Sequence, residues 1–249
     1  YIERFPLLHL AYERSNIAQN PEFIRFTREN ADWLEDYALF MAVKLRFDGA
    51  AWDAWAEDIR KRWSFALDYY RRECYFDVEF YKYLQFQFHV QWTKLKTYAN
   101  ENGIQFIGDI PIYVAFDSAD AWANPEMFQF DGENRPTSVA GCPPDAFSAT
   151  GQLWGNPLYK WDYHRQTNFH WWCRRLEHCF KLYDVVRIDH FRGFDEYYSI
   201  PFGAETAING HWEKGPGIDL FRALKSRLGD KAIIAEDLGF LTDTVVQLL

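Results

Sequence analysis

The sequence predicts an α/β protein built on a parallel sheet. Three observations predict it: short apolar runs at residues 104–110, 184–189 and 231–236, a helical stretch ahead of each run, and an acid at or near each run's end. Strands alternating with helices join in parallel through crossovers, which leaves a doubly wound sheet or a barrel. With 249 residues, 48% apolar and 25% charged, the chain is long enough to bury a sizeable core and lacks the composition of a disordered segment.

The first hundred residues read as helix almost throughout. A short helix is expected at residues 7–14, and Asn20-Pro21 supplies a cap and a first helical residue for the next. Residues 31–47 carry Trp33, Leu34, Tyr37, Phe40 and Met41 at helical spacing, and residues 53–72 and 76–100 continue the pattern until Gly103 ends it. In the last of these, Phe80, Leu84, Phe88, Trp92 and Leu95 form one stripe, expected to be a core face. The runs at 104–110, 184–189 and 231–236 are of the kind buried on both faces of a parallel sheet. Helices are expected at 169–183 and 218–228, the latter closed by Gly229. Between the first two strands lies a long segment, 114–163, rich in Asn, Pro, Gly and Asp yet holding Trp122, Phe128, Phe147, Trp154 and Trp161, which reads as an ordered lid loop. A whole barrel takes roughly 250 residues. Three strands, no initial strand and an apparent new helix at 242–249 make this an expected fragment lacking both ends of its barrel.

A formal charge of −9 argues against nucleic acid or an anionic membrane as partner and favours neutral substrates. No run approaches the roughly 18 apolar residues of a membrane span. The first residues lack a signal-peptide layout, so a cytoplasmic setting is expected. Cys74, Cys142, Cys173 and Cys179 show no CxxC spacing and are expected to be reduced. Aromatic residues make up 19% of the chain, enough to fill bulky cores and also to offer stacking faces to sugars.

The candidate chemistry lies at the strand ends. Asp109, Asp189 and Glu236 would all stand at the carboxyl end of the sheet, where such folds build active sites. Arg187 shares a face with Asp189, two positions along, and would favour its ionised form. Glu236 follows an Ile-Ile-Ala run whose burial would raise its pKa and let it hold a proton. An anionic aspartate and a protonated glutamate are the machinery of a retaining glycosidase, with carboxyls roughly 5 Å apart. His190 could bind a sugar hydroxyl or simply pair with a backbone carbonyl. Asp237 would face the other side of its strand. No HxxxH or HxH pair supports a metal site.

The segment Arg187-Ile188-Asp189-His190-Phe191-Arg192-Gly193-Phe194 resembles the nucleophile strand of 4-α-glucanotransferases of the amylomaltase, or disproportionating enzyme, type in glycoside hydrolase family 77. Four further stretches are similar to that family: Trp33 to Phe40, Gly108 to Val114, Pro143 to Tyr159 (PPDAFSATGQLWGNPLY) and Ile233 to Gly239. The resemblance implies a (β/α)8 TIM barrel with helical insertions, present as an incomplete central fragment: residues 1–102 a helical insertion subdomain and barrel helix, residues 103–249 the central barrel with the lid 114–163. It implies Asp189 as nucleophile and Glu236 as general acid and base. Arg187, His190 and Asp109 would hold sugar at the cleavage point, and Asp145, Gln152 and Trp154 would line the acceptor side of the lid. The partners implied are maltooligosaccharides or starch- and glycogen-type α-glucans, with no cofactor, metal or obligate protein partner.

The chain departs from the family in carrying Ala146 where a tyrosine is frequent. It also lacks the third acid of a His-Asp-Asn motif and the glycine-rich first strand, so the fragment alone is expected to be inactive. The expected reaction passes a segment of an α-1,4-glucan to the 4-hydroxyl of an acceptor, with retention. An α-amylase-like hydrolase and a non-catalytic glucan-binding module are the alternatives.

Overall fold

The structure is a computed structural model that describes residues 4–236 and 243–248. The chain divides into two compact units, Tyr1–Leu95 with Asp117–Ala123, and Lys96–Phe116 with Asn124–Leu249.

The first unit is helical: α1 (Phe5–Arg14), α2 (Pro21–Glu29), α3 (Ala31–Arg46), α4 (Glu57–Arg60), α5 (Ser64–Glu73), most of α6 (Tyr75–Glu101) and the short α7 (Ala119–Ala123). Asn20 caps α2 as expected, its side-chain oxygen accepting the amides of Glu22 and Phe23. The helix expected over 53–72 is instead α4 and α5, broken where Arg62 adopts a positive φ. One core gathers Ile17, Phe23, Phe26, Leu34, Phe80, Tyr83 and Phe86. A second gathers Phe40, Trp52, Trp55 and Trp122, where the Trp122 indole donates to the Ile59 carbonyl at 3.0 Å and the Arg62 guanidinium lies 4.2 Å over its ring. The stripe on α6 is a core face only in its first half. Phe80 is fully buried, whereas Phe88 and Leu95 are about half exposed, at 49% and 51%.

The second unit holds both sheets. β1 (Ile107–Pro111), β4 (Val185–Asp189) and β7 (Ile233–Ala235) form a parallel sheet in the order β1-β4-β7. These are the three strands the sequence predicts, but they are not buried on both faces. Gly108, Ile110, Val186 and Ile188 face the core; the alternate residues, among them Asp109, Arg187 and Asp189, face outward. Gly108 is required by close approach, because a Cβ there would lie 2.0 Å from the Tyr183 ring. Asp184 ties the strands to α6: its carboxylate bonds Lys96 at 2.6 Å, Asn100 at 3.0 Å and the Phe106 amide at 2.8 Å, and Lys96 foremost holds its pKa down at about 2.

The expected lid loop supplies two strands to a second sheet. Ser138–Cys142 (β2) and Gln152–Pro157 (β3) join Glu196–Pro201 (β5) and His211–Lys214 (β6) in an antiparallel order β3-β2-β5-β6. Four strands therefore went unread. Their segments lack the long apolar run that marks a buried strand, since each contains Gly or Pro or is mostly polar. Helices α8 (Trp161–Gln166), α9 (His170–Leu182), α10 (Ile218–Leu228) and α11 (Asp243–Leu248) complete the unit. Gly229 ends α10 at a φ of 71°. The expectation for Asp237 lies outside the described residues.

His164, on α8, is fully buried among Tyr159, Trp161 and Trp171, with Nε2 3.2 Å from the Met127 carbonyl. Burial lowers its pKa to about 4 from 6.5. A histidine depressed in the folded state binds fewer protons than in the unfolded chain, so its stabilisation is whole above pH 6.5 and is lost as pH falls toward 4. Thermal unfolding between pH 7.5 and 5 is expected to show a loss of about 2 kcal/mol from this residue by pH 5. His164→Gln should flatten that dependence; an unchanged slope would show that His164 is not its source.

Candidate active site

The parallel sheet aligns the carboxylates by register. Asp109 pairs with Arg187 and Arg187 with Ile234, while Pro111 pairs with Asp189 one step further on. Continuing the register sets Asp189 beside Glu236, whose amide donates to the Ile188 carbonyl at 3.1 Å. Residues paired in a parallel ladder point to one side. Asp109, Arg187, Asp189 and Glu236 therefore share the outward face.

Arg187 is the hub of that face. Its Nη1 lies 2.7 Å from both oxygens of Asp109 and 3.4 Å from Oδ1 of Asp189, and its Nη2 lies 3.1 Å from Oε1 of Glu236. One guanidinium thus bonds three carboxylates, which is possible because its nitrogens form a planar fork with five donors. Asp109 and Asp189 remain well exposed, whereas the Glu236 side chain is only 16% exposed.

The pKa shifts within the pair run opposite to the sequence expectation. Burial, then the hydrogen-bonding contact and negative charge of Glu236, raise the Asp189 pKa, and Arg187 opposes them. Glu236 is lowered, first by the His190 amide, which donates to its Oε2 at 2.6 Å, then by Asp189 and Arg187. Burial does act on Glu236 in the expected direction but is outweighed by that amide. The two shifts thus run opposite to those expected, Asp189 upward and Glu236 downward. The reason is a donor on another strand that sequence neighbours do not reveal.

His190 sits in the left-handed region, at φ 56° and ψ 45°. Its ring meets Trp154 edge-on at 4.8 Å and Tyr113 at 6.3 Å. Nε2 is sealed from solvent with no hydrogen-bond partner among the described residues, and burial lowers the ring's pKa to about 4. The carbonyl pairing weighed for this ring is therefore not seen at Nε2, and the ring is neutral at pH 7.

Trp154 is part-exposed on β3, and its indole donates to Gln152 Oε1 at 3.0 Å. Of the lid residues, Gln152 and Trp154 thereby join the cluster through His190. Asp145 instead bonds within its own turn, accepting the amides of Phe147 and Ser148 at 2.8 Å each.

Three contributors were not read from the sequence. Tyr113 packs between His190, Trp154 and Tyr159, and its place four residues after Asp109 was the available signal. Arg175, on α9, donates to the Pro111 and Ile112 carbonyls at 2.7 and 3.1 Å and so fixes the end of β1; nothing in its own segment marks that role. The peptide group of His190 is the third. Among the described residues no group of three or more His, Cys, Asp or Glu is arranged to hold a metal ion, and no helix is long and apolar enough to cross a membrane.

A sequence profile of the family described as 4-alpha-glucanotransferase matches residues 1–249. The chain is 48% identical over 246 residues to a 4-alpha-glucanotransferase of Clostridium butyricum, covering 98% of this chain and 50% of that protein. It is 49% identical to one of Streptococcus pneumoniae, covering 100% of this chain and 50% of the other. Among solved structures, an amylomaltase from Streptococcus agalactiae in complex with acarbose superposes with a TM-score of 0.94 at 41% identity, covering 100% of this chain and 50% of that one. The chain spans about half the length of these curated relatives. With the profile matched from end to end, and mixed α/β architecture shared with the amylomaltase, the chain belongs to the 4-alpha-glucanotransferase family.

Proposed function

We propose that this chain is the central portion of a (β/α)8 barrel with helical insertions, in a 4-α-glucanotransferase that acts on α-1,4-glucans with retention. The observation that carries the reaction is Asp189 and Glu236 side by side on one sheet face, bridged by Arg187. Contact between the two carboxyls fits the close spacing of retaining enzymes and not the roughly 6.5–9.5 Å that inversion needs to admit a water. The barrel reading is supported by two open edges, since among the described strands β1 and β7 each pair only with β4. It is supported too by apolar surface at Phe88, Leu95, Ile107 and Ile234, which further barrel elements would cover. Residues 1–102 would be the insertions and a barrel helix, and residues 103–249 the central barrel.

In this reading the Asp189 carboxylate attacks C1 of the donor glucose. The C1–O4 bond breaks, and the departing O4 takes the proton of Glu236. Glu236, now a carboxylate, removes the proton of an acceptor 4-hydroxyl, whose oxygen attacks C1 and releases Asp189. Asp109 and Arg187 hold the pair, while His190, Trp154, Gln152 and Asp145 form the sugar-contacting wall, Trp154 offering a part-exposed face for stacking. Maltooligosaccharides and starch- or glycogen-type α-glucans are the donors and acceptors. A cytoplasmic setting belongs to the same reading and is consistent with four unbridged cysteines. The chain by itself, at half the relatives' length, is expected to be inactive.

The full-length protein, incubated with maltotriose, is expected to yield both shorter and longer oligosaccharides with the number of reducing ends conserved. A rise in reducing ends matching the bonds cleaved would make it a hydrolase instead. Tight glucan binding with no change in chain lengths would make it a binding module.

A further inference from the structure

Glu236 is held at both oxygens. Oε1 faces Arg187 Nη2 at 3.1 Å, and Oε2 accepts the His190 amide at 2.6 Å. A general acid must present a proton to the leaving oxygen, and an oxygen already accepting an N–H has that direction filled by a hydrogen. The N–H comes from the peptide joining Asp189 to residue 190, and residue 190 leaves that peptide in a left-handed conformation immediately after β4. For a residue other than glycine that backbone is strained, so it persists only where its surroundings impose it.

The surroundings do impose it. The His190 ring is wedged edge-on against Trp154 at 4.8 Å and beside Tyr113 at 6.3 Å. A Cβ at Gly193 would lie 2.8 Å from Ile112 Cδ1 and 3.1 Å from the ring's Cδ2, so any larger residue there would crowd the ring. Gly193 is also bonded to the turn, its amide donating to the His190 carbonyl at 3.0 Å. The peptide unit that carries the N–H is itself held at its other end, where the Asp189 carbonyl accepts the Ile112 amide at 3.2 Å.

We propose that the peptide N–H of His190 is a positioning group that holds Glu236 as a carboxylate until a donor sugar enters, and that the left-handed backbone at 190 exists to aim it. This rests on the proposed role of Glu236 as acid and base, and it adds a function for residue 190 separate from any contact its ring makes with sugar. The charged and titratable groups facing Glu236 are Arg187 and Asp189 on β4, His190 beyond it, and Asp109 on β1 acting through Arg187. Of these, the His190 amide acts most strongly to keep Glu236 ionised.

The test separates backbone from ring. Glycine and asparagine accept left-handed backbone and retain the N–H, whereas a β-branched residue resists it. The protonation of Glu236 is read in the full-length protein from the pH dependence of its labelling by a water-soluble carbodiimide, quantified by mass spectrometry of the peptide containing it. In H190G and H190N the labelling midpoint is expected to stay within about 0.3 pH units of the parent, and in H190V to rise by on the order of one unit. Where activity is measured, the descending limb of kcat/KM against pH should move the same way in H190V alone. Should H190V fail to fold, an amide-to-ester replacement at position 190, introduced by ligation, removes only the N–H and should reproduce the rise.

Equal shifts in all three variants would assign the effect to the ring and overturn the proposal, as would no shift in H190V or in the ester. Labelling needs no turnover, so the two readings fail separately. A shifted midpoint in a protein without transferase activity supports the positioning role while refuting the proposed function. Transferase activity with an unmoved midpoint does the reverse.

Discussion

Asp189→Asn and Glu236→Gln in the full-length protein are each expected to lower glucan transfer by about a thousand-fold or more, with little change in thermal stability. Loss of rate alone does not separate nucleophile from acid, because two groups acting as a unit fail alike. Azide with an activated donor such as α-maltosyl fluoride separates them. Fluoride leaves without a general acid, and azide attacks without a general base. In Glu236→Ala the intermediate on Asp189 still forms, so azide should give a glycosyl azide of retained configuration. In Asp189→Ala azide must displace fluoride directly and should give the inverted product. The same anomer from both variants, or near-normal transfer in either, would overturn the assignment of Asp189 and Glu236. Their contact across β4 and β7 makes each the other's neighbour, so both variants should still fold around Arg187.

Arg187 carries the second large effect. It bonds Asp109, Asp189 and Glu236 at once, so removing it leaves three carboxylates on one face with no cation among them. Arg187→Gln is expected to lower kcat by roughly a hundred-fold or more. It should also move both limbs of the kcat against pH profile upward, because Arg187 lowers the pKa of Asp189 and of Glu236 and its loss raises both. A nucleophile with a raised pKa ionises later, which shifts the ascending limb to higher pH; an acid with a raised pKa keeps its proton longer, which shifts the descending limb likewise. Arg187→Lys isolates geometry from charge. A single ammonium lacks the fork that spans three partners, so kcat should still fall while the limbs stay close to the parent's positions. If lysine restored full turnover, the fork would be irrelevant and only the charge would count.

The parallel strands were legible because their physics is local. An apolar run of six or seven residues after a helix has few ways to be satisfied except in a sheet; β4 and β7 fall within the runs that predict them, and β1 starts inside its run and ends one residue past it, at Pro111. The alternation along β1 and β4 was missed. Asp109 and Arg187 stand among apolar neighbours, and a run of that kind reads as buried on both sides until its pairing partners are known. The antiparallel sheet was missed for a related reason. Strand β3, reading QLWGNP, contains a glycine and a proline that signal a loop, and it becomes a strand only because β2 stands ready to pair with it. Propensity there is overruled by a partner drawn from elsewhere in the chain.

Within the site the same division holds. Asp109, Arg187, Asp189, His190, Gln152, Trp154 and Glu236 are named by their positions along strands or by their likeness to a family, and the fold gathers them. Asp145 was named alongside them, and its Oδ1 accepts two amides of its own turn. Tyr113 and Arg175 were not named, because what they do depends on rings and carbonyls distant in the chain.

Taken alone, the sequence carried the family likeness in its motifs, and it placed the parallel strands, which follow from residue type and spacing along a short segment. Only the tertiary structure decided the direction in which each carboxyl's pKa is shifted. A carboxyl's charge is set by the donors and charges within a few ångströms of it, and for Glu236 these are the peptide of His190 and the guanidinium of Arg187, both delivered by the neighbouring strand.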